Sequence, residues 1–164
     1  MSYQHSPADV AAAYRLVTKS LGHAFSFEQL LTYIAARRTK ALGVQIVEVE
    51  LGPGTTGCAL GLLDADVIGV RADLDERRFL PVRLHESSHF LLKHVPKHSA
   101  GDKTATFDEF MESPTVQHAL LRDRATSYSN PIENATENLA RLLLKSINRY
   151  NGGIPDVASD IFLF

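Results

Sequence analysis

His85-Glu86-Ser87-Ser88-His89 places two imidazoles four residues apart, with a carboxylate beside the first. On a helix, four residues turn through about 400°, so both rings fall on one face and can converge on one point. Imidazole nitrogens are zinc ligands, and the H-E-x-x-H spelling is that of hydrolytic sites whose two histidines hold the metal. From the adjacent face Glu86 can reach a water on that metal and accept its proton. The chain has 7 histidines, and a chance occurrence of the pattern has odds of about one in sixty. The flanks also argue against chance. Phe79, Leu80, Val82 and Leu84 precede the motif and Phe90, Leu91 and Leu92 follow it, which marks a buried helix. Buried polar groups need partners, and a metal supplies them.

Two histidines leave a zinc site one protein ligand short. His94 lies five residues past His89, which on a continuing helix turns it away from the ligand face. His98 follows Pro96 and could fold back, but nothing in the pattern requires it. The longer H-E-x-x-H-x-x-G-x-x-H pattern fails, because Leu92 and Val95 stand where it needs Gly and His. A later stretch, "NPIENATENLARLLLK", offers Glu133 and Glu137 on one helical face. Alone, two like charges at that spacing repel weakly. Beside a cation and a ligand histidine, Glu133 could bind metal while Glu137 accepts the imidazole's other N–H. Asn130-Pro131-Ile132-Glu133 also reads as N-cap to N3, which would make Glu133 half of a capping box. Local sequence leaves those two readings even.

The elements that must position these residues emerge from periodicity. Residues 7–21 predict a helix, with Ser6 and Pro7 as N-cap and N1 and Gly22 as its stop. A second helix is expected from about Ser26 to Leu42, with Leu30, Leu31, Ile34 and Ala35 inward. "VQIVEVEL" alternates as a half-buried strand, and "CALGLL" and "DVIGVRA" flank a turn at residues 64–66 as a hairpin. The motif helix should begin near Leu80, with Pro81 in its first turn, and run to about Lys93. Residues 95–130 read as polar and irregular, apart from a short helix at 114–124. A last helix is expected over about 131–149, with Leu139, Leu143, Leu144 and Ile147 as its stripe and Asn151-Gly152-Gly153 as its stop. The expected architecture is α+β: two N-terminal helices, a small three-stranded sheet, the motif helix and a C-terminal ligand-bearing helix.

Composition narrows the setting without choosing a function. At 164 residues, 45% hydrophobic and 22% charged, the chain fits one globular domain over 1–164. A net charge of -2 gives no reason to expect direct nucleic-acid binding. No apolar run approaches the ~18 residues of a membrane span, and "MSYQHSPADV" does not read as a signal peptide. The lone Cys58 excludes an internal disulfide framework and fits a reducing cytoplasm, where it is expected in the core. The C-terminal "DIFLF" is expected to pack on the domain rather than serve as a docking tail.

The run "RRFLPVRLHESSHFLLKH" followed by "ENATENLARLLL" resembles the ImmA/IrrE metallopeptidases over about residues 44–147, leaving 1–43 as a helical N-terminal part. The resemblance places His85 and His89 on the family's metal histidines, Glu86 on its catalytic glutamate and Glu133 on its third ligand. Glu137 falls on the polar residue that comes four later. It breaks the local tie over Glu133 in favour of ligation and implies a zincin-like domain of the gluzincin type. Ser87-Ser88 departs from the family's Leu-Gly, and Thr136 and Glu137 from its usual Ala and Asn or Asp.

The expected activity is that of a zinc-dependent endopeptidase, with His85, His89 and Glu133 on the metal, Glu86 as general base and Glu137 behind His85. Tyr128 and His118 are the candidates for stabilising the oxyanion. The resemblance implies a protein substrate, often a helix-turn-helix repressor, and a role in relieving repression under stress. The alternative from another class is a metal-containing regulatory or toxin-like module that binds a partner protein without cutting it.

Overall fold

The computed structural model describes residues 6–96, 105–124 and 129–152. Helix α1 (Pro7–Leu21) starts where the Asp9 carboxylate accepts the Ser6 N–H at 2.7 Å and stops at Gly22, whose φ of 81° favours glycine. Helix α2 (Phe27–Arg38) opens on a capping box in which Ser26 and Gln29 satisfy each other's backbone N–H groups. It ends four residues before the expected Leu42. Thr39 adopts a left-handed conformation there and caps the Ala35 carbonyl.

Three strands come next: β1 (Val44–Val49), β2 (Gly57–Gly61) and β3 (Asp66–Arg71). The β2–β3 hairpin is antiparallel as expected, and β1 pairs parallel to β3 with Val44 opposite Asp66. The order β1-β3-β2 puts the hairpin's second strand in the centre, with β1 and β2 as edges. A 3₁₀ turn over Glu76–Arg78 leads into α3 (Phe79–Leu91), and Pro81 sits in its first turn, where a missing N–H costs nothing. The chain continues through α4 (Phe107–Glu112), α5 (Pro114–Arg124) and α6 (Asn130–Tyr150). The fold is therefore α+β, with six helices and one three-stranded mixed sheet among the described residues. None of those helices is long and apolar enough to cross a membrane.

Strand alternation sends side chains into two apolar layers. Ala59, Ile68 and Val70 join Val17, Leu30, Ile34, Leu84, Leu139 and Leu143 in the larger one, which packs α1, α2, α3 and α6 on one sheet face. Val49, Cys58, Leu60 and Val67 face the other way, against Phe110 of α4 and Leu120 of α5. Cys58 is buried in that second layer, in keeping with the apolar run it begins. The region expected to be irregular thus holds α4 as well as α5. Thr106 and Glu109 cap α4 reciprocally, and Asp64 accepts the Phe107 N–H at 2.7 Å. A six-residue helix has too few positions to display a period, so its capping pair is the one sign of it in the sequence.

Asp66 at the head of β3 is fully buried. Arg38 meets it with two parallel bonds, Nε to Oδ2 at 2.9 Å and Nη2 to Oδ1 at 2.7 Å. The same guanidinium donates to the carbonyls of Val95 and Pro96 at 2.9 and 3.1 Å. One side chain therefore ties the end of α2 and the start of β3 to the segment leaving α3. Arg38→Ala would strand a buried carboxylate and is expected to destabilise the protein by about 3–5 kcal/mol, read as the shift in a urea unfolding curve. A loss below ~1 kcal/mol would mean that water replaces the guanidinium without difficulty.

Candidate metal centre

Helix α3 is buried on most of its circumference. Val82, Leu84 and Phe90 serve the core, yet Glu86, Ser87, Ser88 and His89 are buried beside them. The serines are satisfied within the helix: Ser87 Oγ donates to the Arg83 carbonyl and Ser88 Oγ to that of Leu84, each at 2.7 Å. Both hydroxyls turn back along their own helix, so small residues remain small where α3 packs. The histidines cannot be satisfied that way and depend on α6.

His85 and His89 stand one turn apart, with ring centroids 5.1 Å from each other and planes at 75°. Both direct Nε2 at the Glu133 carboxylate, His85 to Oε2 at 3.0 Å and His89 to Oε1 at 3.7 Å. The three residues offer ligand atoms that all lie within 4.8 Å of one another, close enough to hold a metal ion. Tetrahedral N and O ligands with bonds of about 2.0–2.2 Å stand roughly 3.3–3.6 Å apart, which the two Glu133 distances bracket. The donor set also fits: two imidazoles and one carboxylate suit a divalent transition metal.

Glu133 is available for this because it does not cap its helix. The N-cap is Ser129, one residue earlier than expected, and the Glu133 N–H donates to the Ser129 carbonyl at 3.1 Å as the fourth residue beyond it. The capping-box reading therefore fails, and the carboxylate faces the histidines. Glu137, one turn on, places Oε2 3.5 Å from His85 Nδ1 while Arg141 approaches its other oxygen at 3.2 Å. Both expected acids of α6 thus address His85, one at each ring nitrogen.

Burial alone would lower the pKa of His85. The hydrogen bond to Glu133 and the close Glu137 carboxylate, with the charge of Glu86 nearby, outweigh it and push that pKa up to about 10. The field of three carboxylates that retains a proton there also favours a divalent cation at the same point.

Glu86 lies against β2. A Cβ added to Gly57 would stand 2.9 Å from Glu86 Oε1 and 2.6 Å from Val82 Cγ1, so only glycine lets the strand pass this close. In the sequence Gly57 reads as turn chemistry, and nothing in its neighbours points to the motif helix. Two further residues join the site, His94 and Thr136. His94 Nδ1 is 2.9 Å from His89 Nδ1, and the Thr136 hydroxyl lies 3.5 Å and 3.4 Å from the Nδ1 atoms of His89 and His94. His94 is not a member of the ligand group, but neither does it turn away, since α3 ends before it. His118 is exposed on α5, whose apolar residues pack on the sheet face away from α3. Tyr128, His98 and the C-terminal Ile161–Phe164 lie outside the described residues.

Comparison with protein-family models, curated proteins and solved structures finds no match for this chain.

The arrangement makes different demands of the two α6 acids. With Zn²⁺ as probe in chelator competition, Glu137→Ala is expected to weaken binding by about 10–100-fold, as loss of a group supporting a ligand does. Glu133→Ala removes one of the three groups placed to hold the metal and should cost more than that. Undiminished zinc affinity in Glu133→Ala would remove it from the ligand set.

Proposed function

We propose that this protein is a zinc-dependent endopeptidase with a zincin-like fold, related to the ImmA/IrrE metallopeptidases. The observation that carries the reading is the meeting of His85 Nε2, His89 Nε2 and the Glu133 carboxylate, with the buried Glu86 one residue from the first ligand. A metal-only role needs the three ligands but gives no reason for a fourth ionisable group, Glu86, to be buried beside them.

Zinc bound by these ligands would lower the pKa of water and polarise a scissile carbonyl. The chain's own residues do the rest. Glu86 takes the proton of the attacking water on its carboxylate and returns it to the leaving amine as the C–N bond breaks. Acid and amine products then account for every atom of peptide and water. The absence of a side chain at Gly57 keeps the Glu86 carboxylate close to the β2 backbone. Because β2 is an edge strand, a peptide laid along it in extended form would be led past Glu86. The proposed substrate is therefore a protein segment able to extend, and the family resemblance suggests a helix-turn-helix repressor.

Glu86→Gln is expected to keep zinc and lose cleavage by about 10²–10⁴-fold, measured on a co-expressed candidate repressor. Cleavage near the wild-type rate would refute the general-base role; a stable complex that neither form cuts would favour the non-proteolytic binding module. Gly57→Ala should lower kcat while leaving zinc affinity within a few-fold of wild type, because the added methyl presses on Val82 and Glu86 and meets none of His85, His89 and Glu133. Equal losses of metal and activity would count against that assignment.

A further inference from the structure

The segment leaving α3 brings His94 back over the helix it has just left. Lys93 adopts a φ of 62°, in the left-handed region that glycine enters more readily. Its N–H donates to the Phe90 carbonyl at 3.1 Å, and the N–H of His94 donates to the His89 carbonyl at 2.8 Å. This pair of bonds is a Schellman closure, in which the second residue past the cap returns to the third-last helical residue, ordinarily for an apolar contact. Here those two residues are His94 and His89, and the contact is polar. Their Nδ1 atoms are 2.9 Å apart, with ring centroids at 5.1 Å and planes at 61°. Arg38 anchors the next two residues through the Val95 and Pro96 carbonyls.

A hydrogen bond between two Nδ1 atoms holds one proton, so one ring donates and the other accepts. His89 turns Nε2 toward Glu133. A neutral imidazole that gives its Nε2 lone pair to a metal carries its proton on Nδ1. That N–H points at His94 Nδ1, which must then accept and carry its own proton on Nε2. Thr136 can accept from whichever Nδ1 carries that proton and does not itself choose between the rings. Its hydroxyl hydrogen goes to the Ile132 carbonyl at 2.8 Å, so it offers the two nitrogens only lone pairs.

We propose that His94 is a positioning residue, holding the His89 ring in the Nδ1–H tautomer and orientation that present Nε2 to the metal. The proposal rests on zinc binding by His85, His89 and Glu133 and not on peptide hydrolysis. Lys93 sets the turn that delivers His94, and Thr136 is a second acceptor for the same proton.

The test is zinc affinity by chelator competition in wild type, His94→Phe, His94→Gln and Lys93→Gly, with the visible spectrum of each cobalt-loaded form as a record of ligand geometry. His94→Phe fills the space without an acceptor and is expected to weaken zinc binding by about 10–100-fold and alter the cobalt spectrum. His94→Gln, whose amide oxygen can accept the same proton, should recover part of that loss. Lys93→Gly keeps the turn and should bind as wild type does. Equal affinity in wild type and His94→Phe overturns the proposal, and so does an equal loss in His94→Phe and His94→Gln, which would assign His94 to packing. Should His94→Phe fail to fold, ¹⁵N NMR of the zinc-loaded wild type decides. A proton on His89 Nδ1, coupled across the hydrogen bond to His94 Nδ1, supports the assignment, and a His89 ring protonated at Nε2 overturns it. If wild type binds no zinc, the metal reading and this inference fall together; if it binds zinc through Glu133 and His94→Phe matches it, the role of His94 alone falls.

Discussion

Helix α3 has to bury four consecutive polar residues, Glu86 to His89, beside a half-buried His85, and the structure around it is arranged by that constraint. A helix pressed between a sheet and other helices cannot leave donors and acceptors unmatched without losing stability comparable to a hydrogen bond for each. Ser87 and Ser88 meet the demand internally through carbonyls one turn back. His85 and His89 reach outward, and α6 answers with Glu133 and Glu137 on consecutive turns of one face. Those acids in turn bring negative charge to a half-buried place beside the buried Glu86, where a cation would offset it. Packing and chemistry are the same problem here: the α3–α6 seam is satisfied most fully when it holds a positive charge.

The remaining elements fix the two sides of that seam. On the sheet side, Gly57 brings β2 into contact with Glu86, so strand and catalytic candidate are placed by one missing side chain. Beyond the helix end, Arg38 bonds at once to Asp66 and to the two carbonyls after His94. The head of the central strand and the exit from α3 are thereby held by a single guanidinium. The second apolar layer, under α4 and α5, closes the far sheet face and joins the hairpin turn through Asp64. It supports the sheet and, among the described residues, contributes no member to the group of His85, His89 and Glu133.

Much of this is legible in the residues. Apolar periods and residues at the helix ends place α1, α3, α5 and α6 to within a few residues, alternation places β1, and apolar runs flanking a turn place β2 and β3. Boundaries are lost where one residue's backbone state decides them. Thr39 ends α2 early by entering the left-handed region, and Ser129 takes the N-cap expected of Asn130. That second shift matters chemically, because it removes Glu133 from the capping position that competed with ligation. A helix continued past Leu92 would carry His94 away from the ligand face. His94 does stay out of the ligand group, but the turn at Lys93 puts it behind His89, and no helical wheel could show that.

By itself the sequence determined the part that depends on spacing along one helix. His85 and His89 share a face, Glu86 adjoins them, and Glu133 and Glu137 share a face elsewhere, because 3.6 residues per turn leaves no freedom in those relations. Only the tertiary structure decided which face meets which. The seating of α3 against α6, the passage of β2 over Glu86 and the return of His94 to His89 are contacts between segments distant in sequence or separated by a turn. They depend on how apolar layers close and on single backbone angles, and neither is written in any local pattern of residue types.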